Sequence, residues 1–239
     1  MRKMFFALCL LLAAAASNAA SIQTVKAAGD TFAVNLNGIV DYGNPQTATV
    51  MTGLSANAQF TVQSWNYDIK TGKTTVKFDI VIDNTSDSKI WQSAVITAIG
   101  FDTDPNALSG TSTGVFSRFV SGSTSNAKFP TGAGFSVEYC ASGNKNTCNG
   151  AGNTPLNVND PNGTASVTMI FAGPLSQLDF SNFGIRWQAL DSTRFGLNGG
   201  SGIGIPTVTT PPIPEPTAMA VFGLGALMVG AALRKRSRQ

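Results

Sequence analysis

Residues 74–83 read TTVKFDIVID. Val76, Phe78, Ile80 and Ile82 fall on one parity, and Lys77, Asp79 and Asp83 on the other. Side chains of a strand alternate between its two faces, so this stretch is a half-buried β-strand with its apolar parity toward a core. The pattern returns in ASVTMIF (165–171), where Val167, Met169 and Phe171 oppose Ser166 and Thr168. It returns again in NFGIRWQAL (182–190), where Phe183, Ile185 and Trp187 oppose Arg186 and Gln188.

IWQSAVITAIGF (90–101) is apolar on both parities and reads as a central strand. In QFTVQSWNYDIK (59–70) the apolar parity switches between Val62 and Trp65, which predicts a bulge. Thr71-Gly72 is a hairpin turn signal, and Asn37-Gly38, Asn149-Gly150, Asn162-Gly163 and Asn198-Gly199 are further turn signals. No helical periodicity of useful length occurs between Ser21 and Ile205. Short strands separated by Gly/Asn turns over about 185 residues predict an all-β, antiparallel β-sandwich, jelly-roll-like, spanning 20–205.

Charge is scarce: 12% of the 239 residues, against a usual share of roughly a quarter. Histidine is absent, which removes Ser-His-Asp and Cys-His arrangements and every imidazole metal site. The net charge of +3 comes from the two ends. Arg2, Lys3, Arg234, Lys235, Arg236 and Arg238 account for six of the 16 Lys and Arg; the remaining 10 face 13 acids. The body is mildly acidic, without a basic patch, so no nucleic-acid partner is expected.

The N-terminus, MRKMFFALCLLLAAAASNAAS, has a cationic start, an apolar stretch and small residues at Ser17 and Ala19. It reads as a signal peptide over 1–19, with Cys9 leaving in the cleaved piece. At the other end, Ala218 to Leu233 is uncharged and apolar. As a helix at ~1.5 Å per residue it reaches roughly 24 Å, near the ~30 Å of a hydrocarbon core. The cationic tail Arg234, Lys235, Arg236 and Arg238 stays cytoplasmic by the positive-inside rule, placing the body outside the inner membrane. PTVTTPPIPEP (206–216) precedes the span; proline excludes helix, so it reads as an extended stalk with its backbone free of ladder hydrogen bonds.

Pro214-Glu215-Pro216, the adjacent apolar helix and the terminal basic cluster together resemble the PEP-CTERM sorting signal, here over 214–239 behind a linker at 206–213. The resemblance covers only about the last tenth of the chain. It implies an exported protein of a Gram-negative bacterium, often one that makes exopolysaccharide. The implied partner is an exosortase, a membrane protease-transpeptidase that acts at the Pro-Glu-Pro region. The implied localisation is an inner-membrane intermediate and then the cell surface or the extracellular space. A plain C-terminal anchor is the alternative reading of this end.

Cys140 and Cys148, in YCASGNKNTCNG (139–150), remain after export; an even count in an oxidising compartment predicts a disulfide. FDTDPNALSG (101–110) sets Asp102, Asp104 and Asn106 at alternate positions, as an oxygen-rich calcium loop requires. Ala107 and Thr113 stand where an EF-hand has its glycine and glutamate, so a polar Asx-turn before Pro105 competes with the calcium reading; no other cofactor is expected. Trp65, Trp91, Trp187, Tyr42, Tyr67 and Tyr139 are core aromatics or, alternatively, sugar platforms. Arg186 is expected to point to solvent or pair with an acid. Glu138 and Glu215 are the only glutamates, which disfavours a two-carboxylate hydrolase. The reading is a non-enzymatic surface or matrix protein processed by exosortase and associated with exopolysaccharide. A carbohydrate-binding, calcium-dependent β-sandwich module and a secreted hydrolase are the alternatives.

Overall fold

The alternation at 74–83 becomes part of the fourth of eleven strands in the computed structural model, which describes residues 22–40, 49–121, 136–143, 147–148 and 156–206. The chain divides into two compact units, Met1–Thr207 and Val208–Gln239, and the described residues belong to the first. The expected signal peptide, the linker from 207, the Pro-Glu-Pro motif, the apolar run and the basic tail lie outside the described residues. Among the described residues no helix is long and apolar enough to cross a membrane.

The strands are β1 (Gln23–Val25), β2 (Thr31–Val40), β3 (Thr49–Asp68), β4 (Lys73–Asp83), β5 (Ser93–Asp104), β6 (Ser109–Gly114), β7 (Arg118–Ser121), β8 (Tyr139–Ser142), β9 (Gly163–Ala172), β10 (Leu178–Ser192) and β11 (Leu197–Pro206). They form one sheet in the order β6-β9-β4-β3-β2-β11-β10-β5-β8-β7, with β1 paired to the start of β10. Every pairing between these strands is antiparallel. The all-β antiparallel expectation holds. Where a sandwich has two separate ladders, this one is continuous, because β11 and β2 stitch the halves together over Ile203↔Ile39 to Pro206↔Leu36. The sheet curls until its last strands, β6 and β7, lie against each other. Ring carbons of Phe119 fill the space 2.5 Å from where a Cβ on Gly110 would sit, and the wall is nearly a barrel.

Phe60 on β3 stacks on Phe32 of β2 at 4.6 Å. It also meets Phe78 of β4 at 6.1 Å, Phe101 of β5 at 5.9 Å, and Phe180 and Phe183 of β10 at 6.0 and 5.6 Å. The inward parity of β4 and β9 joins this core: Val76, Phe78, Ile80, Ile82, Val167, Met169 and Phe171 are all buried.

The bulge falls where the parity switch put it, between Val62 and Ser64, and turns Trp65 back inward opposite Val76. Thr71-Gly72 forms the β3–β4 turn, with Gly72 at φ 64° and its N–H donating to Asp68 O at 2.8 Å. The other described Asn-Gly pairs are not tight hairpin turns. Gly38 sits inside β2 at a register shift, where a Cβ would come within 2.2 Å of Leu54. Gly163 opens β9, and Gly199 lies in β11 at φ 81°, beyond the actual turn at Thr193–Gly196. Asn149-Gly150 lies outside the described residues. Glycine at 38 answers a packing demand rather than a turn, and the dipeptide alone does not distinguish them.

IWQSAVITAIGF becomes a central strand, since β5 lies between β10 and β8 and is buried on both faces. A second, smaller apolar cluster covers the outer side of this part of the sheet: Ile39, Val120, Val137, Cys140, Cys148 and Ile203, with Ile205 against it.

Phe60→Ala removes the ring shared by both halves. It should lower the unfolding free energy by about 3–5 kcal/mol, the range for truncating a buried aromatic, read from urea denaturation followed by far-UV circular dichroism.

Candidate functional site

The polar residues singled out at 102–106 lie where β5 ends. A register shift in β10 between Ser181 and Gly184 leaves Asn182 in the left-handed region at φ 50°. There its amide donates to Asp102 Oδ2 at 2.9 Å and to Ser136 O at 2.7 Å. Asp102 Oδ1 accepts from Glu138 N–H at 2.7 Å. Both oxygens of Asp102 therefore serve as acceptors that fasten the residues before β8 to β5. Glu138 Oε2 accepts from Thr103 N–H at 3.3 Å. With the Asn106 amide oriented so that its nitrogen faces the neighbouring acceptors, it donates to Glu138 Oε2 at 3.1 Å and to Thr103 O at 2.8 Å. Asp104 is exposed, and the Asp104–Pro105 peptide is cis.

Tyr139 completes the knot. Its hydroxyl accepts from Ala107 N–H at 2.7 Å and donates to Ala107 O at 3.2 Å. Burial pushes its phenol above the usual tyrosine range. Asp102 and Asn106 thus meet Glu138 and Asn182, partners 36 and 80 residues from Asp102 that no local pattern announces. Among the described residues no group of three or more Asp, Glu, Cys or His has the arrangement to hold a metal ion.

Cys140 and Cys148 are disulfide-bonded, with a Cα–Cα distance of 6.0 Å. Both are fully buried in the outer cluster, so the bond pins a loop down onto β8. Arg186 does not point to solvent: it is 6% exposed, on the outer side of β10, and its Nη1 donates to Gly202 O at 3.2 Å. The solvent-facing half of the expectation failed because alternation assigns the polar parity to water, whereas here a second layer covers that parity.

Among the aromatics, Trp91, Trp187 and Tyr139 are buried core residues. Trp65 is half-buried against the core, Tyr67 is 46% exposed, and Tyr42 lies outside the described residues. Tyr67 stands at the β3–β4 hairpin beside Asp68, whose carboxylate accepts from Lys70 N–H at 2.9 Å and Thr71 Oγ1 at 3.0 Å. The Lys70 bond, then the Thr71 bond, holds the Asp68 carboxyl below its usual range.

A family model described as the PEP-CTERM protein-sorting motif matches residues 212–237. The chain carries that motif; the match contains Pro214, Glu215, Pro216, Arg234, Lys235 and Arg236, while Arg238 falls one residue beyond it. No curated protein and no solved structure matches the chain.

Two outcomes follow from the geometry. Asp102→Ala should lower the melting temperature, since it strands the Glu138 N–H and removes an acceptor from Asn182. That loss should be the same with and without millimolar calcium. A calcium-induced rise that vanishes in the variant would instead make Asp102 a ligand. For Asp68, a depressed folded pKa means a contribution fully present above the unfolded value and lost as pH falls through the folded one. The stability gap between wild type and Asp68→Asn should therefore close below about pH 3.8, in thermal melts across an acid series.

Proposed function

We propose that this chain is an exported, non-enzymatic protein that exosortase processes at Pro214-Glu215-Pro216 and that ends at the cell surface or in an extracellular matrix. The observation that carries the reading is the sorting-motif match at 212–237, which follows in sequence a β-structured body that carries a disulfide. A disulfide suits an oxidising compartment, in keeping with export. The absence of histidine, and the use of Asp102 and Glu138 as acceptors in a structural hydrogen-bond network, support a body that binds or fills space rather than catalyses.

Association with exopolysaccharide draws support from the outer face of β2-β3-β4-β9-β6. Register sets Thr31, Thr61, Asp79, Ser166 and Thr113 in one row across five strands. Lys77, Thr168 and Thr111 form the row beside it. Ser166 Oγ donates to Asp79 Oδ1 within the first row. Such a face, short in charge and rich in hydroxyls, matches the donor and acceptor chemistry of a neutral or weakly charged glycan.

Two substitutions separate a processing signal from a plain anchor. Glu215→Ala leaves the apolar run and its basic flank intact, so the chain should still export and insert, yet accumulate as an unprocessed membrane-bound precursor. Truncation before Thr217 should free the body from the membrane whether or not exosortase is present. Intact mass of the stable surface form reads the result. A mature wild-type protein that retains Ser237-Arg238-Gln239 would overturn the reading.

A further inference from the structure

Five large apolar side chains are conspicuously exposed among the described residues, and three of them share one rim. Tyr67 lies opposite Thr74, Thr74 opposite Phe171, and Leu108 N–H donates to Ile170 O beside it. Tyr67 and Leu108 therefore stand in one cross-strand row of β3-β4-β9-β6, roughly 14 Å apart at three strand spacings. Ile69 lies just beyond Tyr67 in the turn. Ile69 is 83% exposed, Leu108 57% and Tyr67 46%. The row is held firmly: Gly173 N–H donates to Gly72 O at 2.8 Å, and buried Thr74 donates to Gly173 O at 2.6 Å. Lys70 and Lys73 flank the tip, with stems long enough to lie along an apolar surface while their ammonium groups stay wet.

The direction of the last strand gives this rim a partner. β11 ends at Pro206, beside Leu36, running toward the end of β2 that begins at Thr31. Thr31 pairs with Thr61, and β3 continues from there to Asp68 before it turns. From Pro206 to the hairpin tip is thus about twelve strand residues, roughly 40 Å at ~3.3 Å each. Between Pro206 and Ala218, where the apolar run begins, the sequence has eleven residues. Fully extended they span at most ~40 Å, and at the ~3.1 Å rise that proline imposes about 34 Å. A stretch of eleven residues is thus no longer than the length of wall that extends past Pro206 in the direction of β11.

The geometry points to the β3–β4 hairpin tip and the neighbouring β5–β6 turn as a lipid-surface contact: Tyr67, Ile69 and Leu108 enter the bilayer interface of the membrane-held precursor. This rests on the membrane-held form proposed above. Tyrosine and aliphatic side chains suit that interface, with lysines at headgroup level. At this end of the wall Lys26, Lys70 and Lys73 stand against Asp30, Asp68, Asp104 and its register partner Asp179, so there is no cationic excess and apolar burial rather than attraction to anionic lipid drives the contact. It should accordingly resist added salt.

The test uses the full exported chain in vesicles of phosphatidylethanolamine and phosphatidylglycerol, with a nitroxide on Ile69→Cys or, at the opposite end of the wall, on exposed Asn198→Cys. Power saturation against oxygen and an aqueous nickel chelate reads depth. The label at 69 should be several-fold less accessible to the chelate than the label at 198, at low and at high salt. Adding Tyr67→Asp and Leu108→Asp should return it to the value at 198. Equal chelate accessibility at 69 and 198 in a chain that co-floats with the vesicles would overturn the contact and leave the membrane hold standing. A chain that does not co-float would overturn the membrane hold, and this inference with it.

Discussion

The structure depends on one ring. Phe60 touches phenylalanines from β2, β4, β5 and β10, and those strands belong to both halves of the curled sheet. Offset and edge-on aromatic pairs contribute about 0.5–1.5 kcal/mol each beyond the area they bury. More important is what they fix. A one-residue slip of β3 would turn Phe60 to the outside and face Gln59 and Thr61 inward, so the cluster sets the register of the whole β2-β3-β4 ladder. β3 must then keep Trp65 inside as well, three positions past an inward Val62. Period two cannot do that, and the bulge at Val62/Ser64 supplies the missing residue.

The sheet's two outer faces differ, and that difference shapes most of the remaining sequence. Along β3-β4-β9 and the first part of β2 the outer parity is largely polar and solvated. Over β5-β10-β11 it is covered by a second cluster that includes the disulfide. Covered strands lose their alternation, as in β5, where Ala98 and Ile99 are both fully buried. β11 answers a tighter demand. A Cβ on Gly204 would lie 2.4 Å from a Trp187 ring carbon, and one on Gly202 would lie 2.9 Å from Ile39 O. Gly202 and Gly204 are there because neighbours already occupy the space of their side chains.

Legibility follows the same division. β4, β9 and the β3 bulge were plain in the sequence because each has one wet face, and a wet face writes its periodicity into the chain. The buried guanidinium of Arg186 was not plain, since residues distant in sequence cover it and one-dimensional parity contains no second layer. Asn37-Gly38 misled for a related reason: the same dipeptide serves a tight turn and a close approach to Leu54. At the 102–106 turn the sequence supplied the acids but not their partners. Glu138 and Asn182 reach Asp102 only because β8 and β10 flank β5, a fact of topology rather than of spacing. The sorting signal is the opposite case. Its information lies in composition and order along the chain, so it could be read without any fold.

The two ends of the body obey a constraint that ties fold to sorting. β5 occupies one edge of β10 from Asp179 to Asp191. The other edge is shared, β1 pairing at Leu178 to Phe180 and β11 from Ile185 onward. The first and last strands therefore lie end to end in a single lane, β11 finishing near the point where β1 begins. Neither can lengthen there without displacing the other. Every ring of the cluster around Phe60, from Phe32 to Phe183, lies in sequence between β1 and β11. A chain read as cut at both ends needs a body indifferent to the cuts, and a shared lane closed by β1 on one side and β11 on the other provides one.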